Sequence, residues 1–399
     1  MDSNRITDKS TSTSMEDLVN CFSATQRRLR FMIVDSDYQG FLNDLYQTHP
    51  GLVLQPYKEQ VRVRMGTLFS TADFSSRALR KMGHEALDIR VNNEFAQKAW
   101  LKEHGLRVKE GRWKLILRRG IIPWFRKTKP WVLETLANQI NYYMPDVLLN
   151  RSMDLISPYF LRRVRTSIGY LIGQHAATRL PKHWDYRCYD LLISSFPPTV
   201  DFFNTTGVTA RLQRLCFEPN LLELIPARER IYPVTCISSF MPIHSSRTDL
   251  VKSLCKRIEN MRVWTSDTKE LATDSNIYKC IQGPAWGRKM YEVLAASKIT
   301  INHHGNVPPF ANNYRLFEAT GMGALLITDY KNNLQDMFEV GKEIVTYRSI
   351  DECIEMVQYY LAHEAERANI AYAGQQRTLR EHTFRQRMEE LCQMISRGS

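Results

Sequence analysis

Several features are missing from this 399-residue chain, and each absence removes a class of protein. No run of about 18 apolar residues occurs, so no transmembrane helix is expected. Residues 1–15 are polar, rich in Ser and Thr, and lack the apolar core of a secretory leader. The eight cysteines include no C-x-x-C pair and are scattered from Cys21 to Cys392. Several sit in apolar, strand-like runs, where a thiol behaves as a small hydrophobe. A reduced, cytoplasmic setting is therefore expected rather than a disulfide framework. No G-x-G-x-x-G follows the first expected strand, which weighs against a two-domain α/β oxidoreductase.

What is present is ordinary for a globular protein: 43% hydrophobic and 24% charged residues, with length enough for two domains. The net charge of +12 points to an anionic partner, whether nucleic acid, membrane surface or phosphorylated substrate.

The chain alternates strand-like and helix-like segments. Arg30–Asp35 reads as a buried strand and Tyr38–Tyr46 as a helix. Asp73 is placed to cap a helix that ends at Gly83. Strands follow at 86–89, 146–149, 167–172, 189–194 and 210–216, with helices between several of them. Such a βαβ series predicts a parallel sheet with helices on both faces. Phe217–Pro233, with Pro219, Pro226 and Pro233 among charged residues, reads as a link. A second series then starts at Val234–Phe240. It runs through helix 247–260, strand 262–264, helix 286–297 and strand 299–303 to helices that close the chain. The expected organisation is a disordered tail over 1–26, a first Rossmann-like domain over 27–220 and a link over 221–232. A second Rossmann-like domain covers 233–380, and a C-terminal helix over 381–399 returns toward the first domain. Two such halves facing a central cleft are the GT-B architecture.

The most informative stretch is Asn312–Asp329. It reads as a helix start, a Gly-broken helix end and a buried strand ending in Asp. It places the carboxylate of Glu318 on a short helix packed against the sheet. Helix starts attract phosphate, and ligands of open α/β sheets gather at the carboxyl ends of strands.

Several phrases in order resemble the spore-maturation CgeB-like branch of the group 1 glycosyltransferases. In the first half they are Lys81-Met82-Gly83-His84-Glu85, Met144-Pro145-Asp146-Val147-Leu148, Ile172-Gly173-Gln174 and Tyr189 through Ser195. The second half adds His244-Ser245-Ser246-Arg247, Trp286-Gly287-Arg288-Lys289-Met290-Tyr291 and Asn313 through Glu318. The tail adds Glu366 through Ala371, Gly374, and His382-Thr383-Phe384-Arg385-Gln386-Arg387. The resemblance spans roughly residues 30–395 and is strongest in the C-terminal half. It implies a nucleotide-sugar donor (UDP- or GDP-linked) in the second domain, an unspecified acceptor in the first, no bound metal and retention of anomeric configuration. It also implies that Glu318 holds the donor ribose, since a carboxylate accepts two hydrogen bonds from a vicinal diol. The superfamily's E-x7-E pattern would place another Glu at 310. Phe310 stands there, so readout of the sugar must come from elsewhere.

Other candidates follow from residue chemistry. Arg315 and Asn313 sit at the helix start, where a guanidinium can grip phosphate oxygens. Ser238, Ser239, His244 and Arg247 occupy the loop after the first strand of the second domain, suited to a pyrophosphate. Ser239 stands where the family often has Gly. Asn302-His303-His304-Gly305-Asn306 lies at a strand end. Adjacent side chains on an extended segment point oppositely, so the two histidines are not expected to share a metal. His304 and Asn306 are instead expected at the donor, with Gly283 framing its base. His175, at a strand end of the first domain, is an acid/base candidate on the acceptor side. Asp35, Tyr38 and Asp73 are further acceptor-side candidates.

Residues 105–131 interleave Lys and Arg with Trp, Phe and Ile, a mixture suited to an anionic membrane surface and a lipid-linked or cell-envelope acceptor. A location at the inner face of the membrane would follow. The same mixture can stack on single-stranded nucleic acid, which ranks lower. Two other classes stay open: a GT-B protein that binds nucleotide sugar or glycan without catalysis, and a nucleic-acid-binding or -modifying protein.

Overall fold

The computed structural model describes residues 28–109, 113–118, 121–127, 130–176, 184–240, 245–266, 271, 276–305 and 310–398. The expected tail disorder, His244, Asn306 and much of the basic-aromatic segment, including the side chains of Trp113 and Trp124, lie outside these residues.

The first half contains β1 (Arg30–Asp35), β2 (Glu85–Arg90), β3 (Trp113–Arg118), β4 (Ile121–Lys127), β5 (Val147–Asn150), β6 (Tyr170–Gln174), β7 (Leu191–Ser194) and β8 (Ala210–Leu212). Six of these form a parallel sheet in the order β2-β1-β5-β6-β7-β8, while β3 and β4 pair as a separate antiparallel hairpin. The second half contains β9 (Tyr232–Ile237), β10 (Met261–Trp264), β11 (Ser297–Asn302), β12 (Leu325–Asp329) and β13 (Val345–Tyr347). They form a second parallel sheet, order β10-β9-β11-β12-β13.

The strand sequences explain both sheets. A parallel sheet is covered on both faces, so its strands are apolar without alternation. In β1, Met32 and Val34 turn to one face and pack with Leu148, Leu136 and Ile140. Phe31 and Ile33 turn to the other and meet Leu79, Leu391 and Ile395. Leu391 and Ile395 belong to the C-terminal helix Phe384–Gly398, which therefore covers the first sheet as expected. The chain crosses back beside the link, where Phe217 N–H donates to His382 O at 2.8 Å and Phe384 N–H to Phe217 O at 3.0 Å. In the second sheet Val234, Cys236, Ile299 and Ile301 pack with Leu250, Leu254 and Val357. The fold is GT-B: two Rossmann-like halves with the last helix returned to the first.

Some expectations shift. The strand expected at 167–172 begins at Tyr170, because Arg165–Ser167 closes a 3-10 turn. Asp73 sits at the N-cap of helix Phe74–Lys81 but makes no capping hydrogen bond. Its carboxylate is spent on Arg77 and Arg80. Trp131, expected in the membrane-facing segment, is buried against the first sheet.

Candidate functional site

In both sheets the strand order reverses beside the first strand, at β1/β5 and at β9/β11, and such switch points open a crevice at the carboxyl ends. Beyond β9, Ser238 N–H donates to Trp264 O at 3.1 Å. Arg247, on helix Ser245–Arg257, donates from Nη1 to Ser239 O at 3.1 Å, and from Nε and Nη2 to His303 O at 3.1 and 2.8 Å. The guanidinium thus ties together the loops on either side of the switch point. Those donors serve main-chain carbonyls and not an open anion site. Burial pulls its pKa below the usual arginine value. Gly283, left-handed at φ +94°, lies beside β10, its carbonyl accepting Thr265 N–H at 3.0 Å.

At the ends of β11 and β12, Asp329 gathers the polar groups. Its Oδ1 accepts the His304 main-chain N–H at 3.0 Å and His304 Nδ1 at 2.7 Å. A carboxylate only accepts, so Nδ1 carries the proton. Lys331 Nζ lies 3.3 Å from Oδ2. Burial alone would raise this carboxyl, but the hydrogen bond and charge of His304, with His303 and Lys331 beside it, hold it well below the usual carboxylate range. His304 is buried, and its Nε2 has no partner among the described residues. Asn302 and Asn313 exchange amide hydrogen bonds, with Asn313 Nδ2 donating to Asn302 Oδ1 at 2.9 Å. Among the described residues no group of three or more His, Cys, Asp or Glu is placed to hold a metal.

Helix Arg315–Gly321 carries Glu318, which is half-buried and whose side chain faces Arg315. Arg315 Nη1 is 3.1 Å from Glu318 Oε2, and Arg315 Nη2 donates to Ile237 O, the end of β9, at 3.4 Å. Burial pushes the Glu318 carboxyl up, and Arg315 opposes that shift. Arg315, Glu318, Asn313 and Arg247 are thereby brought to one switch point. Phe310, in the place of the missing carboxylate, meets Phe196 of the first half edge-on at 6.0 Å.

The first sheet faces this array. Asp35 accepts Arg90 Nη1 at 2.6 Å, and Arg151 donates from Nε to Gln174 Oε1 at 2.7 Å. Burial raises the Tyr314 phenol, Cys216, Asp35 and Glu318 push it further, and Arg151 opposes, so groups of both halves act on that residue. His175 follows β6, its main-chain N–H on Ile193 O at 3.0 Å. Tyr38 is 70% exposed, edge-on to Phe69. Asp73 instead lines a cavity along β2, paired with Arg77 and Arg80.

The residues not anticipated are joints. Asn312 accepts Ser195 Oγ at 2.5 Å and donates to Ala176 O at 2.5 Å, linking the halves. Asp329 was legible only as a strand-terminal Asp, and Arg151 had no local signal. Both acquire partners from other strands.

Comparison with known proteins agrees with this fold. Residues 247–393 match the family model described as glycosyl transferase-like. No curated protein matches the sequence significantly. Among solved structures, a glycosyltransferase from Rickettsia africae is similar at TM-score 0.57 and 10% identity, covering 93% of this chain and 99% of its own. Anabaena HepE in complex with UDP and glucose is similar at TM-score 0.59 and 12% identity, covering 92% and 100%. The sucrose-phosphate synthase of Thermosynechococcus elongatus is similar at TM-score 0.54 and 11% identity, covering 93% and 99%.

Proposed function

We propose that this chain is a GT-B glycosyltransferase that moves a sugar from a nucleotide-diphosphate sugar to an acceptor held by the first domain, without a bound metal. The observation that carries the reading is Glu318. Its carboxylate, half-shielded beside Arg315 at the β9/β11 switch point, lies in the segment that matches the glycosyl transferase-like model. It accepts the ribose diol, and burial makes each such hydrogen bond stronger than in water. UDP is preferred as the nucleotide, since the similar Anabaena protein is seen with UDP and with UDP-glucose.

The leaving diphosphate gains charge as the glycosidic bond breaks, and fixed positive groups stabilise it there. Arg315, Lys331, the Ser238 and Ser239 hydroxyls and the start of helix Ser245–Arg257 are the groups at hand. Arg247 acts chiefly as the strut that shapes this loop. His304 Nε2, buried and without a partner among the described residues, takes a donor-sugar hydroxyl and replaces the readout that Phe310 lacks. His175, Asp35 and Tyr38 serve the acceptor side, with His175 the proton acceptor. We place the division between domains at 221–232. The CgeB-like subgroup, retention of configuration and a lipid-linked or envelope acceptor at the cytoplasmic membrane face complete the reading.

The test is a thermal-shift series with UDP, GDP and their glucose conjugates. A ligand that binds only the folded state raises Tm. UDP and UDP-glucose should raise Tm in the wild type and not in Glu318→Ala. Equal shifts in both proteins would remove Glu318 from the donor site.

A further inference from the structure

A cavity of about 730 Å³ runs along the outer edge of the first sheet, within the size range of small-molecule sites. It lies between β2, helix Tyr57–Gly66 and helix Phe74–Lys81, and its lining includes none of Ser239, Arg247, His304, Arg315 or Glu318. Among the described residues β2 pairs only with β1, so its other side fronts this space.

The lining divides by chemistry. Val61, Met65, Leu68 and Leu87 give it an apolar floor, extended by Leu224 from the link. Lys58, Arg62, Arg77, Arg80 and Arg288 supply the charge, and all but Arg77 are exposed at the rim. The carboxylates on the lining are Asp73 and Asp88. Asp73 is shared by Arg77 and Arg80, while Asp88 accepts the Ser76 hydroxyl. Glu59 pairs with Arg62 on the outer side. Cations therefore outnumber carboxylates even with Glu59 included. Arg80 also donates to Ala86 O at 2.9 Å, and Arg288 to Leu224 O at 2.9 Å, so both guanidiniums are held in place.

Held cations above an apolar floor favour a ligand with an anionic head and a hydrocarbon body. A bare phosphate leaves the floor uncovered, and a polyanion gains nothing from it. We propose that this cavity binds a lipid carrying a phosphate head, separately from the donor site. The chain ends on the floor and the phosphate on the rim arginines, since guanidinium–phosphate pairs are strong and directional.

Isothermal titration of the full chain tests this, with monomeric dihexanoyl phosphatidic acid, dihexanoyl phosphatidylcholine and inorganic phosphate as probes. The phosphatidic acid should bind at least tenfold more tightly than either comparator. Arg80→Gln/Arg288→Gln and, independently, the exposed pair Lys58→Gln/Arg62→Gln should each weaken it at least fivefold. The Tm increment given by UDP should be unchanged in both, separating this site from the donor reading. Equal affinity for the choline lipid, equal affinity for inorganic phosphate, or undiminished binding in a folded variant would each overturn the proposal.

Discussion

At the scale of single residues, hydrogen-bond partners decide what a titratable group does. His382 shows this away from the cleft. Its Nε2–H donates to Met337 O at 3.0 Å, and its Nδ1 accepts from Arg387 Nη2 at 2.9 Å. Both ring positions are therefore committed to the neutral form. Burial, with Arg387 nearby, pulls its pKa down to about 4. A depressed folded pKa means the unfolded chain binds the proton more readily. The stability from neutral His382 is present above about pH 6.5 and is lost as pH falls toward 4, by on the order of 3 kcal/mol. Urea titrations at pH 7.5 and 4.5 should show that loss in the wild type and a smaller one in His382→Gln. An identical loss in both would assign the pH dependence elsewhere. Glu318 behaves oppositely. Its raised pKa means that ionising it in the folded state costs stability as pH climbs past the usual carboxylate range. Glu318→Gln should therefore melt at or above the wild-type temperature at pH 7.5, yet bind UDP at least tenfold more weakly by calorimetry. A lower melting temperature would make Glu318 a structural residue. The place of Glu318 on a short helix was legible from Gly321 and Asp329, and its donor role was only what the family resemblance implied. The partners of His382 were not, because Met337 lies 45 residues away.

At the scale of elements, close approach sets the tolerances. Gly374 lies inside helix Glu364–Glu381, where Ala would ordinarily be favoured by about 1 kcal/mol. Here a Cβ would come within 2.2 Å of Glu343 O, a main-chain atom that cannot turn aside. Gly374→Ala is expected to lower stability by about 2 kcal/mol in chemical denaturation, against its helix propensity. A stabilised variant would show that the helix can slide. On the other side of the molecule, Leu391 is fully buried under the first sheet. Leu391→Ala should cost about 2–5 kcal/mol, because the returned helix would leave a cavity. Loss of less than 1 kcal/mol would mean that this helix is not essential to the first domain. Both closing helices were readable in the sequence, although Gly374 falls inside the first of them. The helix Pro130–Tyr143 was not read, since the basic-aromatic run before it hid its start.

At the scale of the whole molecule, the halves meet at named joints. Asn312 is one. Another is Gly287, at φ +48°, where a Cβ would fall 2.0 Å from Thr67 O. Arg288 N–H donates to that same carbonyl at 2.8 Å, and Trp286 meets Phe69 edge-on at 5.3 Å. Gly287→Ala both strains the backbone and pushes the first domain's loop off the second. Small-angle scattering should report a larger radius of gyration for it, with sugar transfer falling more than UDP affinity. An unchanged radius would mean that this contact does not set the spacing. The alternation of strands and helices over much of the chain, the two-part division and the place of Glu318 on a short helix before a buried strand were properties of the sequence by itself, because apolar runs, Gly breaks and Pro links act locally. Which carboxylates remain available, which arginines become struts and which faces of the halves touch were decided only by tertiary structure. Arg247 and Asp73 were legible as charges. Their partners come from loops and helices that the fold brings beside them, and desolvation there makes pairing obligatory.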